Sequence, residues 1–279
     1  MNGILTIAQL TLHEARGRRV VLAALVLGLA FLLIFGIGYY VIYNNITSGT
    51  GTMPRVQANI GLSFVSMAGL YAVNFLVVMM AVLMPVDTMS GDIRSGTIQT
   101  LATKPILREA IVIGKWLAFW LILGVYLVMM AGGVWVIVRV IANYAIPNIF
   151  AGLGLIFLEA TVLMTLSILG GTRLSTLANG VTILGLFGLS FIGGWMEQIG
   201  GFIGNNAAEN FGVITSLLVP TEALWRLAAY YMQPPLVRDL PITPFSVASV
   251  PSNGMVVWAF LYVIFTLILA LRQFKSRDL

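Results

Sequence analysis

The chain has 279 residues, of which 59% are hydrophobic and only 9% charged, with a mean hydropathy of +0.98; a soluble domain carries about 25% charged residues, so the balance points to a lipid-facing protein. No cysteine is present, which excludes disulfides, iron–sulfur clusters and thiolate metal sites. The net charge of +5 arises from basic residues beside apolar runs, where they act as topology signals and contacts to anionic lipid rather than to nucleic acid.

Residues 4–19 place Ile4, Leu5, Ala8 and Leu12 along one helical face and Gln9, His13 and Arg16 on another, the pattern of an interfacial helix over 1–19. His13 is the single histidine and has no acidic cluster near it, so it reads as a polar-face residue and no metal site is expected. The apolar run that follows, 20–43, is too long for the core of a signal peptide and lacks a small-x-small cleavage site, which predicts a retained first span. A spanning helix needs about 20 mostly apolar residues, since every backbone polar group must be satisfied within the segment. Runs at 61–86, 110–138, 149–171, 177–194 and 254–271 meet that need and make six spans in a single transmembrane domain.

Counting Lys and Arg in alternate connections orients the chain. Arg16, Arg18, Arg19, Arg94, Lys104, Arg108, Lys115, Arg173, Arg272, Lys275 and Arg277 fall on one side, against Arg55, Arg139, Arg226 and Arg238 on the other, so both termini are expected in the cytoplasm of the cell and the protein in its plasma membrane. Tyr39, Tyr40 and Tyr43 then form an outer aromatic belt, and Arg139 and Arg173 snorkel from span ends. On the outer side, 195–253 contains PTEALWRLAAYYMQPP, in which Pro220, Thr221 and Glu222 start a helix and Pro234 and Pro235 stop it. Too few consecutive apolar residues follow for a seventh span, so this helix is expected at, or dipping into, the outer interface.

Between spans two and three, 87–109 is the longest polar insertion on the cytoplasmic side. Ser95 and Gly96 can start a helix, Ile98, Leu101 and Ala102 give it a short apolar face, and Pro105 ends it. A helix of about two turns is not stable alone in water, so it persists only if docked. Two readings stand on these residues alone: a solvated loop that obeys the positive-inside rule, or a surface that docks a soluble partner through Asp92, Arg94 and the apolar face.

The stretch DTMSGDIRSGTIQTLATKPILREAIVIGKWLAFW, residues 87–120, resembles the cytoplasmic segment of ABC-2 type permeases, in which a charged pair, Ser-Gly-Thr, a short apolar helix, a proline, a basic residue and Gly-Lys follow in order. The matching positions are Asp92, Arg94, Ser95, Gly96, Thr97, Leu101, Pro105, Arg108, Gly114 and Lys115; the commonest family form has Glu at the position of Asp92 and more leucines in place of IQTLAT. A P-x-E-x-x-x-R stretch at Pro220, Glu222 and Arg226 is similar too, and the branch with permeases of nitrous-oxide-reductase maturation and gliding motility resembles this chain best. The resemblance implies an all-α integral membrane subunit of an ABC exporter, working as a dimer with a second or related permease. Two copies of a separate ATPase subunit would grip the short helix as a coupling helix through Asp92, Arg94, Ser95, Gly96, Thr97, Ile98, Leu101, Pro105 and Arg108. No G-x-x-x-x-G-K-[ST] occurs, so no cofactor is expected on this chain, and ATP with Mg is expected on the partner. Gly132, Gly133, Gly152, Gly154, Gly180, Gly185 and Gly188 would permit close helix approach.

Within the spans, Glu159 stands near the middle of the fourth, where a charge costs at least about 2.5 to 3.5 kcal/mol. Either it lines a translocation path or switching polar network, or it is a neutral carboxyl bonded to a backbone carbonyl, Thr161, Thr165 or Asn74. Asn74 and Asn179 are candidates for bonds across helices. The 13 methionines show no clustered pattern and read as packing rather than a copper path. The competing functions are an ion-coupled secondary transporter, which a lone intramembrane carboxylate and the absence of inverted repeats disfavour, and a membrane scaffold using 195–253 as a surface for an extracytoplasmic partner.

Overall fold

The computed structural model describes residues 2–48, 55–86, 88, 91, 108–238 and 249–276, and the described residues form helices without strands. The elements are α1 (Asn2–Gly17), α2 (Arg19–Ser48), α3 (Arg55–Val86), α4 (Arg108–Ala142), α5 (Ile149–Gly171), α6 (Thr176–Ile203), α7 (Asn206–Leu218), α8 (Thr221–Met232), α9 (Pro235–Arg238) and α10 (Asn253–Lys275). Among them α2 to α6 and α10 are long and apolar enough to cross a membrane. The protein is an all-α, six-span membrane protein, and side-chain contacts bring the α1–α2 junction to the end of α3, and the start of α4 to the end of α10.

Most helices run past the apolar stretches that announce them, because a backbone already hydrogen-bonded in a helix continues until a cap or proline stops it. The clearest case is α6, which continues beyond Gly194 to Ile203 and carries Trp195 to Ile203 out of the connection assigned from sequence. Gly204, at φ 68°, ends α6 in the left-handed region open to glycine, and Asn205 Oδ1 then accepts from the amides of Ala207 and Ala208 at 3.0 and 3.3 Å. This Gly-Asn reversal starts α7, a helix the sequence reading did not place. Helix α7 folds back so tightly on α6 that a Cβ on Gly212 would lie 2.5 Å from the Gly193 carbonyl oxygen, which backbone cannot yield.

Helix α5 is the centre of the bundle, with α3, α4, α6, α8 and α10 packed around it. Its apolar stripe is therefore not a stripe: Ile156, Ala160, Val162, Leu163, Met164 and Ile168 are all fully buried. By contrast α2 leaves Val26, Leu33, Ile34 and Ile37 uncovered by the rest of the chain, as befits a helix at the lipid-facing rim.

Two expectations about faces change. Tyr39 does not join an outer belt: it is 1% exposed, its ring tilted against Phe35 and its hydroxyl reached by that of Ser66, while Tyr40 stays exposed. On α1 the buried stripe is Ile7, Thr11 and Ala15, flanked by Ile4, Ala8 and Leu12, and Leu5 is 58% exposed. The stripe is set by docking on α4, and Thr11 enters it because its hydroxyl donates to the Ile7 carbonyl at 2.9 Å.

Gly114 makes that docking possible, since a Cβ there would stand 2.8 Å from the Ile4 carbonyl oxygen and 2.7 Å from Ile7 Cβ. Gly114→Leu should lift α1 off α4 at a cost of about 1 to 3 kcal/mol, the range for overpacking. Trypsin cleavage at Arg16, Arg18 and Arg19 in the purified chain is expected to accelerate several-fold in this variant, and unchanged cleavage would show that α1 holds without the close approach.

Candidate functional site

Two polar groups of residues stand out in a chain this apolar. The first frames the 87–107 connection. Thr88, immediately after α3, is fully buried: its hydroxyl accepts from Arg18 Nη1 at 2.8 Å and its carbonyl accepts from Lys115 Nζ at 3.4 Å. Arg18, at the α1–α2 junction, also pairs with Glu14 at 2.6 Å, and Lys115 is only 4% exposed. At the other end, Arg108 Nη1 donates to the Lys275 carbonyl at 3.4 Å, and Lys275 Nζ pairs with Glu109 at 3.1 Å. The connection therefore leaves and re-enters the bundle at points tied to α1, α4 and α10. The Gly-Lys pair at 114–115 acquires a physical meaning here, because Gly114 admits α1 and Lys115 holds the exit of α3.

Of the residues assigned to the coupling segment, Arg108 is placed as just given; Asp92, Arg94, Ser95, Gly96, Thr97, Ile98, Leu101 and Pro105 lie outside the described residues.

The second group lies in the bundle. Glu159 meets Asn74, one of the partners that the sequence offered for it, across α3 and α5: Asn74 Nδ2 donates to Glu159 Oε1 at 3.5 Å, with Glu159 0% exposed. Thr161 and Thr165 are not partners of this carboxyl, since their hydroxyls donate to the carbonyls one turn back, of Phe157 and Thr161, both at 2.7 Å. Asn179 does bond across helices, donating to the Ser167 carbonyl at 2.8 Å.

Helix α8 brings further charge to the same layer. It is not an interfacial helix: Glu222, Leu224, Trp225, Arg226 and Ala228 are all buried, and the helix packs chiefly against α5. Its start is pinned to α6 by Ser190, whose hydroxyl donates to the Val219 carbonyl at 2.8 Å and accepts from Thr221 Oγ1 at 2.9 Å and the Glu222 amide at 3.2 Å. One turn on, Arg226 Nη2 pairs with Glu197 Oε2 of α6 at 2.6 Å, with both side chains buried. Burial pushes the Glu222 carboxyl up to about 7; Arg226 on the same face pulls it down and Glu197 pushes it up. Tyr71 of α3, stacked edge-on against Trp225 at 5.2 Å, lies within electrostatic reach of Glu159 and Glu222.

Glu197, and the burial of Glu222 and Arg226, escaped the sequence reading. The available signal was the continuation of α6: Glu197 falls only three residues after Gly194, and of the two arginines in the far connection, Arg226 and Arg238, the first lies on an amphipathic helix. A groove of about 990 Å³ between α4 and α5, lined by Trp120, Trp135, Phe150 and Phe157, is by contrast wholly apolar and offers no chemistry.

The polar insertion tied at both ends, a docked N-terminal helix and six spans are the parts of an ABC permease, and a sequence model described as ABC-2 family transporter protein matches residues 6–279. The chain belongs to the ABC-2 transporter family. It is thus a membrane permease component of an ABC transporter, in a family that normally works with an ATPase subunit. No curated protein matches the chain. Among the glycines that sequence offered for close approach, Gly133 and Gly152 of this ABC-2 permease are used within the chain, against Leu32 and Met232, whereas a Cβ at Gly132, Gly154, Gly185 or Gly188 would meet nothing within 4 Å among the described residues.

Proposed function

We propose that this ABC-2 permease is the membrane subunit of an exporter driven by ATP that a separate subunit, present in two copies, binds with Mg and hydrolyses. The permease pairs with a second copy or a related chain in the cell membrane, with both termini in the cytoplasm. The observation that carries the reading is the fastening of the 87–109 segment at both ends. A push on it reaches α3 and the α1–α2 junction through Thr88, α4 through Lys115, and α10 through Glu109 and Lys275. Asp92, Arg94, Ser95, Gly96, Thr97, Ile98, Leu101, Pro105 and Arg108 are the residues assigned to grip the ATPase. ATP can drive transport only through a difference in affinity between two states of the complex, and a segment tied to several spans is where such a difference does mechanical work. Within the 195–253 segment, on the far side, the surface offered to an extracytoplasmic partner is that of α7, where Ile214 and Leu218 are exposed, since α8 is buried.

The test is purification of the chain from its native membrane in mild detergent, with identification of co-eluting proteins and an ATPase assay on the eluate. A stoichiometric nucleotide-binding subunit with measurable hydrolysis is the expected result. A chain recovered without one, and with flux that follows a proton or sodium gradient, would replace this reading by an ion-coupled transporter; a stable far-side partner with no flux would make it a scaffold.

A further inference from the structure

Among the described residues, the buried layer shared by α3, α5, α6 and α8 holds three carboxyls, Glu159, Glu197 and Glu222, and one cation, Arg226. Among the described residues these are the charged side chains that face Glu222 from the helices packed on α8: Glu159 comes from α5, Glu197 from α6 and Arg226 from its own helix, with the neutral Tyr71 from α3. The charged residues of α7 and α10 lie elsewhere, Glu209 beside Gly200 and Arg272 and Lys275 in the last turn of α10. Arg226 is taken by Glu197 at 2.6 Å. Full ionisation would leave two negative charges buried without a partner, and an isolated buried carboxylate adds its proton rather than bear that cost.

A second observation locates one proton. Asn74 gives its amide N–H to Glu159 Oε1, while Asn74 Oδ1 and Glu159 Oε2, both buried acceptors, have no hydrogen-bond partner among the described residues. An amide facing an ionised carboxylate lacks a donor for its carbonyl; an amide facing a carboxylic acid has one. A hydrogen on the Glu159 carboxyl would supply a donor to this pair of unpartnered acceptors.

We propose that this layer is a proton-binding site, in which Glu159 and Glu222 each hold a proton and only Glu197 is ionised, against Arg226. Uptake is simple addition: each carboxylate accepts one H⁺ from water and becomes a neutral acid, and release returns it. The Arg226–Glu197 contact joins α8 to α6, so parting these helices frees the guanidinium for Glu222, one turn away on the same helix. Glu197, left alone, then takes the proton that Glu222 gives up, so which carboxyl holds the second proton is tied to the position of α8. The inference goes beyond ATP coupling and stands on the cluster's charge count and on the Asn74–Glu159 contact.

Infrared difference spectroscopy of the full chain in nanodiscs, comparing H₂O with D₂O at neutral pH, reads protonated carboxyls directly through their C=O stretch. Two protonated carboxyls are expected in the wild type, one in Glu159→Gln, one in Glu222→Gln and none in the double variant. Glu197→Gln is also expected to show one, because Arg226 then turns to Glu222. A wild type with no protonated carboxyl overturns the proposal even if every variant fails to fold. Folded Glu159→Gln and Glu222→Gln proteins that keep the wild-type signal overturn it as well.

Discussion

Leu101→Asp and Arg94→Ala should leave the permease inserted and folded while transport falls at least about tenfold and the ATPase no longer responds to it. The size follows from interface energetics: anchors at the centre of a docking surface cost about 2 kcal/mol or more when removed, and each 1.4 kcal/mol is tenfold in affinity. A helix of about two turns has little stability of its own, so on the coupling role proposed above Leu101 would both order the segment and fill the partner's groove. An aspartate there loses both contributions at once. The readouts are substrate flux in vesicles and ATP hydrolysis by the purified complex, with insertion checked by protease protection. Flux and stimulated hydrolysis both at wild-type levels would remove 92–108 from the coupling path. Lys115→Met separates the two halves of the idea, because it frees the Thr88 carbonyl without touching the docking surface. Partner binding should survive in that variant while flux drops.

The six spans were legible because a run of about 20 apolar residues has few alternatives, and the central 149–171 span matches its helix end to end. Glu159 and Asn74 were legible as isolated costs, a carboxyl and an amide in apolar runs, and each proved to be the other's partner. Residues whose roles depend on distant chain were not. Tyr39 looks like a belt residue until α3 places Ser66 beside it. Helix α8 looks amphipathic, with Glu222 and Arg226 on a polar face, and only the fold shows that this face is covered by α6, α5 and α3. Helix α7 was hidden because a Gly-Asn pair is as good a loop signal as a helix cap. The family match reaches this far side too, yet only the structure joins Glu197 to Arg226 across 29 residues.

Arg226→Met should be among the most damaging substitutions in the chain, lowering stability by about 3 to 5 kcal/mol, because breaking a buried pair strands its other charge. The loss belongs to Glu197, which lies in α6 with its side chain almost wholly covered. Relief cannot come from a rotamer change toward solvent, since Gly212 of α7 packs against the Glu197 backbone and Cβ. The double variant Arg226→Met, Glu197→Leu is the decisive comparison. Two apolar side chains of similar volume place no charge in the layer, and such replacements of buried pairs are often neutral or stabilising. Stability is therefore expected to return to near wild type in the double variant and to stay low in both single ones, giving a coupling energy well above the few tenths of a kcal/mol seen for independent sites. Unfolding of the four proteins in mixed micelles, followed by tryptophan fluorescence, measures the cycle; Trp225 sits beside Arg226 in α8 as a local reporter. Single losses that simply add in the double variant would mean that the 2.6 Å contact holds α8 to α6 no better than its separate parts. Recovered stability without recovered flux would show instead that the pair is kept for the motion of α8 and not for the fold.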